Sequence, residues 1–185
     1  MTGYDELRIR LEPAAEAGMY ELFAEGPTGE TTGRFHLPWA DLELENFVLK
    51  LGRPRQGVRR VDSPEFALAR RMGCQLFESL FTERVRDLYR GSFQQARAEG
   101  KGLRITLALA NAPELMHIPW EYLCDDRDFL SISAQTPVVR YLDLPTSRRP
   151  LAVELPLRIL AMVSSPTDEV TLDVARERAK LEQAV

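Results

Sequence analysis

The 185-residue sequence predicts a mixed α/β fold, with an N-terminal antiparallel β-meander and a helical hairpin ahead of the opening unit of a second, incomplete α/β core. Three observations predict it. Apolar and polar residues alternate over residues 4–38, the period of half-buried strands. Two long apolar stripes at helical spacing follow over residues 63–100. A mostly apolar run at 157–163 then has the length of a strand buried on both faces, and a helical pattern succeeds it.

Leu7, Ile9 and Leu11 alternate with charged residues, and Tyr20, Leu22 and Ala24 repeat the pattern after the break from Pro13 to Gly18. Gly26-Pro27-Thr28-Gly29 is turn chemistry, and Arg34-Phe35-His36-Leu37 closes a three-stranded meander in which His36 faces solvent. Asp41 is placed to cap a short helix whose Leu44, Phe47, Val48 and Leu51 share one face and which Gly52 ends. Ser63-Pro64-Glu65 starts a longer helix, with a hydroxyl cap, proline at the first helical position and an acid in the first turn. Phe66, Ala69, Gly73, Leu76, Phe77 and Leu80 form its stripe. Thr82 is placed to cap the next helix, which carries Val85, Leu88, Tyr89, Phe93 and Ala96 and stops at Gly100. The two stripes predict a helical hairpin packed on the sheet. Leu103, Ile105, Leu107 and Leu109 alternate as a strand, and residues 129–133 and 137–142 read as two short extended segments.

Residues 143–156 carry three prolines and Arg148-Arg149, and are the best boundary in the chain. The expected organisation is a module over 1–142, a linker or strap over 143–156, and the first strand and helix of a truncated core over 157–185. A parallel sheet needs a second strand after its crossover helix, so the chain reads as a fragment of a longer protein.

Composition excludes several classes. Apolar residues make up 44% and charged residues 28%, near the globular average, and no run of about 20 apolar residues exists. The first residues have neither the basic nor the apolar part of a signal peptide, so the expected location is cytoplasmic with no membrane partner. A net charge of −4 gives no pull toward nucleic acid. Lysine occurs only at 50, 101 and 180, and the remaining basic residues are arginine, which fits codon bias in a GC-rich genome. From Lys50 to Arg60 there are five basic residues and no acid. Arg53, Arg55, Arg59 and Arg60 could bind an anion or phosphate, or simply solvate a loop; no aromatic residues interleave to stack on bases.

Motifs for familiar chemistry are missing. There is no phosphate-binding glycine loop, dinucleotide fingerprint, nucleophile elbow or paired-histidine zinc helix, so no cofactor is expected. Two histidines, His36 and His117, make a multi-ligand metal site unexpected. Cys74 and Cys124 lie too far apart for a Cys-x-x-Cys motif; Cys74 reads as an inert helix thiol. Cys124 with His117 is conceivable as a catalytic pair, but the simpler reading makes His117 a loop residue. Asp125, Asp126 and Asp128 lack the glycine and distal glutamate of a calcium loop and read as a solvated turn.

Residues 115–123 (Leu-Met-His-Ile-Pro-Trp-Glu-Tyr-Leu), then Phe129-Leu130-Ser131-Ile132-Ser133, Thr136-Pro137-Val138-Val139-Arg140-Tyr141 and Leu157-Arg158-Ile159-Leu160, in that order, resemble the N-terminal half of a CHAT domain. That family is caspase-like, related to caspases and separases, and is often fused in bacteria to tetratricopeptide repeats or signalling ATPases. The turn at Ser164-Ser165-Pro166 and the following Leu172-Asp173-Val174 also resemble the start of its core, and residues 4–102 resemble the lead-in of one subgroup. The resemblance implies a cysteine endopeptidase of a signalling or defence system. Its catalytic histidine sits in a His-Gly motif after a later core strand, and its nucleophilic cysteine follows a strand further on. Neither motif occurs here, so no catalytic residue can be assigned.

In caspases the loop after the first core strand supplies an arginine for an acidic substrate residue. The matching loop here is acidic, so the resemblance implies that Asp168, Glu169 and Asp173 would disfavour acidic and accept basic residues; otherwise these acids serve a helix N-terminus. The expected role is a non-catalytic, structural or regulatory support for a protease core, with Trp120, Tyr122 and Leu123 as the interface anchor. The alternative is a pseudo-enzyme or adaptor that binds a partner protein without catalysis. The expected partners are the remainder of its own core or another protein, with a homodimer possible through the edge of the 157–163 strand.

Overall fold

The computed structural model describes residues 3–52, 64–125, 128–141, 160–162 and 173–184. Those up to 141 belong to one compact unit and those from 160 onward to a second.

The first unit is built on a five-stranded mixed sheet of order β3-β2-β1-β4-β5. Strands β1 (Tyr4–Pro13), β2 (Met19–Gly26) and β3 (Gly29–His36) form the antiparallel meander. Leu11 stands opposite Leu22 and Tyr20 opposite Phe35, so the alternating apolar residues share one face. Strand β4 (Gly102–Ala108) joins the other edge of β1 in parallel, with Leu7 beside Ile105 and Ile9 beside Leu107. Strand β5 (Val138–Tyr141) adds in parallel to β4. The meander was legible in the sequence; its extension by two parallel strands needs contacts 98 residues apart for β1–β4 and 33 apart for β4–β5, which periodicity does not report.

Helices α1 (Asp41–Gly52), α2 (Pro64–Leu80) and α3 (Glu83–Ala98) lie between β3 and β4 in the chain. Leu76 and Leu80 of α2 and Val85 and Ala96 of α3 are buried in one core with Leu7, Ile9, Leu22, Leu103 and Ile105. The two helices touch through Phe77 and Tyr89, whose rings meet edge-on at 6.1 Å. Helix α3 is fixed to the β2–β3 turn by a Thr28–Ser92 hydroxyl contact of 3.0 Å. It ends as the glycine signal predicts: Gly100 takes φ +72°, and Lys101 N–H reaches the Ala96 carbonyl at 2.9 Å.

Details of capping differ from expectation. Asp41 is the first helical residue, and the helix end is capped by Glu43, whose carboxylate accepts the Ala40 N–H at 3.1 Å. Thr82 occupies the cap position of α3, but its hydroxyl makes no capping bond; its carbonyl accepts the Arg86 N–H at 2.7 Å. On α1, Leu44 and Phe47 are buried, whereas Val48 is about half exposed at 48%.

Two extended segments are corrected. Residues 130–132 form a 3-10 turn, and only a single bridge pairs Cys124 with Phe129. Serines explain the turn: the Ser133 hydroxyl accepts the Gln135 N–H at 3.0 Å, a local bond that competes with strand pairing, and the Ser131 hydroxyl donates to the Glu121 carbonyl ten residues back. The 157–163 run is not a strand at its described residues. Residues 160–162 have no strand partner among the described residues, Leu160 and Met162 are each 87% exposed, and residues 157–159 and 163 lie outside the described residues. An apolar run becomes a strand only where neighbours pair its backbone.

In the second unit, α4 (Val174–Ala184) forms as its pattern predicts. Arg178–Glu182 and Lys180–Glu177 ion pairs of 2.8 and 2.6 Å lie along its surface.

Candidate functional site

The segments between β4 and β5 fold into a hydrogen-bonded clasp at the parallel edge of the sheet. Pro113–His117 and Trp120–Tyr122 are consecutive 3-10 turns, started by prolines that fix φ and lack an N–H. Trp120 is fully buried, its ring 5.6 Å from that of Phe35, and its Nε1–H donates to the Leu115 carbonyl at 2.9 Å. The Leu130 N–H returns to the Leu123 carbonyl at 2.8 Å, and the Thr136 hydroxyl donates to the Leu130 carbonyl at 2.9 Å. Arg140 of β5 closes the clasp. Its Nη2 reaches both oxygens of Glu121 at 2.5 Å and its Nη1 the Met116 carbonyl at 3.0 Å.

The clasp is seated on α2 at Gly73. A Cβ on Gly73 would stand 1.9 Å from the Tyr122 carbonyl oxygen, so glycine alone fits there. The Cys124 N–H then reaches the Gly73 carbonyl at 3.3 Å. Tyr122 lies edge-on to Phe47 of α1 at 5.5 Å and to Phe129 at 6.0 Å. Trp120, Tyr122 and Leu123 are therefore anchors inside this unit, with Trp120 and Leu123 buried and Tyr122 partly so.

The described helices bury the face of the sheet that carries Leu7, Ile9 and Leu22, and the other face presents the alternate strand residues. Arginines lie over aromatic rings there: Arg8 over Tyr141 at 5.3 Å, Arg10 over Phe23 at 4.6 Å and Arg104 over Tyr4 at 5.3 Å. Sequence reasoning missed this arrangement, although these residues occupy the polar positions of the alternating strands. Thr106, on the same face, is buried.

The conceivable catalytic pair is not assembled. His117 is exposed at the end of its turn. The Cys124 thiol is pushed up to about 12, first by burial and then by a hydrogen bond with Cys74. A thiol held protonated is a poor nucleophile. What the sequence missed is that Cys74 and Cys124, 50 positions apart, are neighbours in space. Both sulfurs approach the Asp125 carbonyl oxygen, at 3.9 and 3.2 Å.

Asp125 and Asp128 build a turn: Asp125 Oδ1 accepts the Asp128 N–H at 3.0 Å and Asp128 Oδ1 the Phe129 N–H at 2.8 Å. No group of three metal-ligating side chains occurs among the described residues. Asp173 caps α4, its carboxylate accepting the Arg176 N–H at 3.0 Å. Asp168 and Glu169 lie outside the described residues, as do Arg53, Arg55, Arg59 and Arg60. No helix among the described residues is long and apolar enough to cross a membrane.

Comparison with family models, with curated proteins and with solved structures finds no match to this chain.

Proposed function

We propose that this chain is the non-catalytic N-terminal module of a CHAT-type, caspase-like cysteine protease, and that its job is to support the protease core. The observation that carries the reading is the clasp. The residues with the family resemblance, Trp120, Glu121, Leu123, Leu130, Thr136 and Arg140, are spent on one another and on backbone groups. Such an arrangement holds β5 in place and offers no free nucleophile and base. Strand β5 is the parallel edge of the sheet, and parallel strands are ordinarily flanked and covered on both faces. A cytoplasmic signalling or defence setting belongs to the same proposal.

A peptidase assay tests the non-catalytic role. The chain is incubated with aspartate and arginine reporter peptides and with a mixed peptide library. No cleavage is expected from the wild type or from Cys74→Ser and Cys124→Ser variants. Cleavage that Cys124→Ser abolishes would overturn it.

A further inference from the structure

The cysteine pair is the feature that this function leaves unused. Cys124 is buried, and Cys74 is half-buried on α2. The Gly73–Tyr122 approach and the Cys124–Gly73 backbone bond bring their backbones together, and both thiols turn to one acceptor, the Asp125 carbonyl, at 3.9 and 3.2 Å. Both sulfurs line a groove of about 340 Å³ running along α3. Three arginines, Arg86, Arg90 and Arg97, line the same groove against two acids, Glu78 and Asp125. Arg86 is engaged, donating to the Phe81 carbonyl at 3.1 Å and lying 5.6 Å from the Phe77 ring. Arg90 and Arg97 have no ion-pair partner among the described residues and give the groove two further cations.

We propose that Cys74 and Cys124 form a dithiol modification site that accepts an anionic low-molecular-weight disulfide and is converted by it into an intramolecular Cys74–Cys124 disulfide. The Cys74 sulfur attacks one sulfur of the incoming disulfide. A mixed disulfide forms, the incoming S–S bond breaks, and the first small thiol leaves with the proton from Cys74. Cys124 then attacks the Cys74 sulfur, and the second small thiol leaves with the Cys124 proton. The protein dithiol is oxidised by two electrons, and the small disulfide is reduced to two thiols. Cys74 is the more exposed of the two and meets the incoming disulfide first, and the buried Cys124 beside it takes the second step. The product ties α2 to the end of the clasp.

The test uses the reduced full chain and excess glutathione disulfide, read by peptide mapping under non-reducing conditions. Wild type should give a peptide pair joined through Cys74 and Cys124, and the oxidised protein should melt higher than the reduced one, reversibly. Cys124→Ala should stop with glutathione retained on Cys74, and Cys74→Ala should stay unmodified. If Cys124→Ala fails to fold, the wild-type map still decides. Glutathione disulfide should react faster than the cationic disulfide cystamine, by roughly tenfold at low salt, and Arg90→Glu/Arg97→Glu should reverse that order. Two results would overturn the proposal: free thiols in the native protein where the urea-unfolded chain is oxidised, or an end product in which wild-type Cys74 keeps its glutathione. An unchanged order of the two reagents in the arginine variant would overturn the anionic selectivity.

Discussion

Replacing Trp120 with alanine tests whether the clasp is fastened through the core. The indole is fully buried, packs 5.6 Å from Phe35 and donates to the Leu115 carbonyl at 2.9 Å. Truncating a buried tryptophan to alanine costs about 3–5 kcal/mol, from lost transfer energy and the cavity left behind. The Leu115 carbonyl also loses one of its two donors and keeps the Ile118 N–H at 3.3 Å. At about 2–4 °C per kcal/mol for a chain of this size, the melting temperature should fall by roughly 6–20 °C. Trp120→Phe separates the two contributions: it keeps most of the ring and removes the indole bond, while the carbonyl still accepts the Ile118 N–H at 3.3 Å, so the loss is that of one hydrogen bond, about 0.5–1.5 kcal/mol. Thermal melts of wild type and both variants, followed by far-ultraviolet circular dichroism, check the order. An alanine variant melting within a degree of wild type would refute the anchor, and a phenylalanine variant as damaged as the alanine one would refute the division.

Three further outcomes follow from the same geometry. Gly73→Ala should destabilise by at least about 1–3 kcal/mol in urea unfolding, because the new methyl meets a backbone carbonyl at 1.9 Å and neither helix nor turn can yield cheaply. Arg140→Ala should cost more than Glu121→Ala. Arg140 also holds the Met116 carbonyl, and the ion pair, with Glu121 56% exposed, should contribute only about 0.2–1 kcal/mol in a double-mutant cycle. Tyr20 is raised from 10.0 to about 12 by burial and its 2.8 Å bond to Glu114. A phenol whose folded value lies above its unfolded one stabilises fully below the unfolded value and loses that contribution as pH rises. Stability should therefore fall between pH 10 and about 12, and Tyr20→Phe should flatten that part of the denaturation profile.

Local physics was legible in the sequence where it acts locally. The alternation through Leu7, Ile9 and Leu11, the Gly26–Gly29 turn, the Pro64 helix start and the Gly100 stop are each decided within a few residues, and each forms where its pattern lies. The 130–132 turn was missed because serine hydroxyls redirected a short apolar run. Residues 160–162 have strand composition, but composition supplies no neighbour, and none pairs with them among the described residues. Of the clasp, the residues were legible as a recurring series, and their joint purpose was not. Nothing local says that Arg140 meets Glu121, or that Gly73 is bare because the Tyr122 carbonyl occupies its side-chain space. The cysteine pair was invisible for the same reason: a separation of 50 residues is closed only by the packing of α2 on the clasp.

The central claim is that this module serves a caspase-like core, and reading the gene downstream of the Val185 codon tests it most directly. The account predicts an open frame that continues into alternating strand and helix patterns, with a His-Gly pair after one strand and a cysteine at the end of a later one. A stop codon directly after Val185, or a continuation with neither motif, would contradict it.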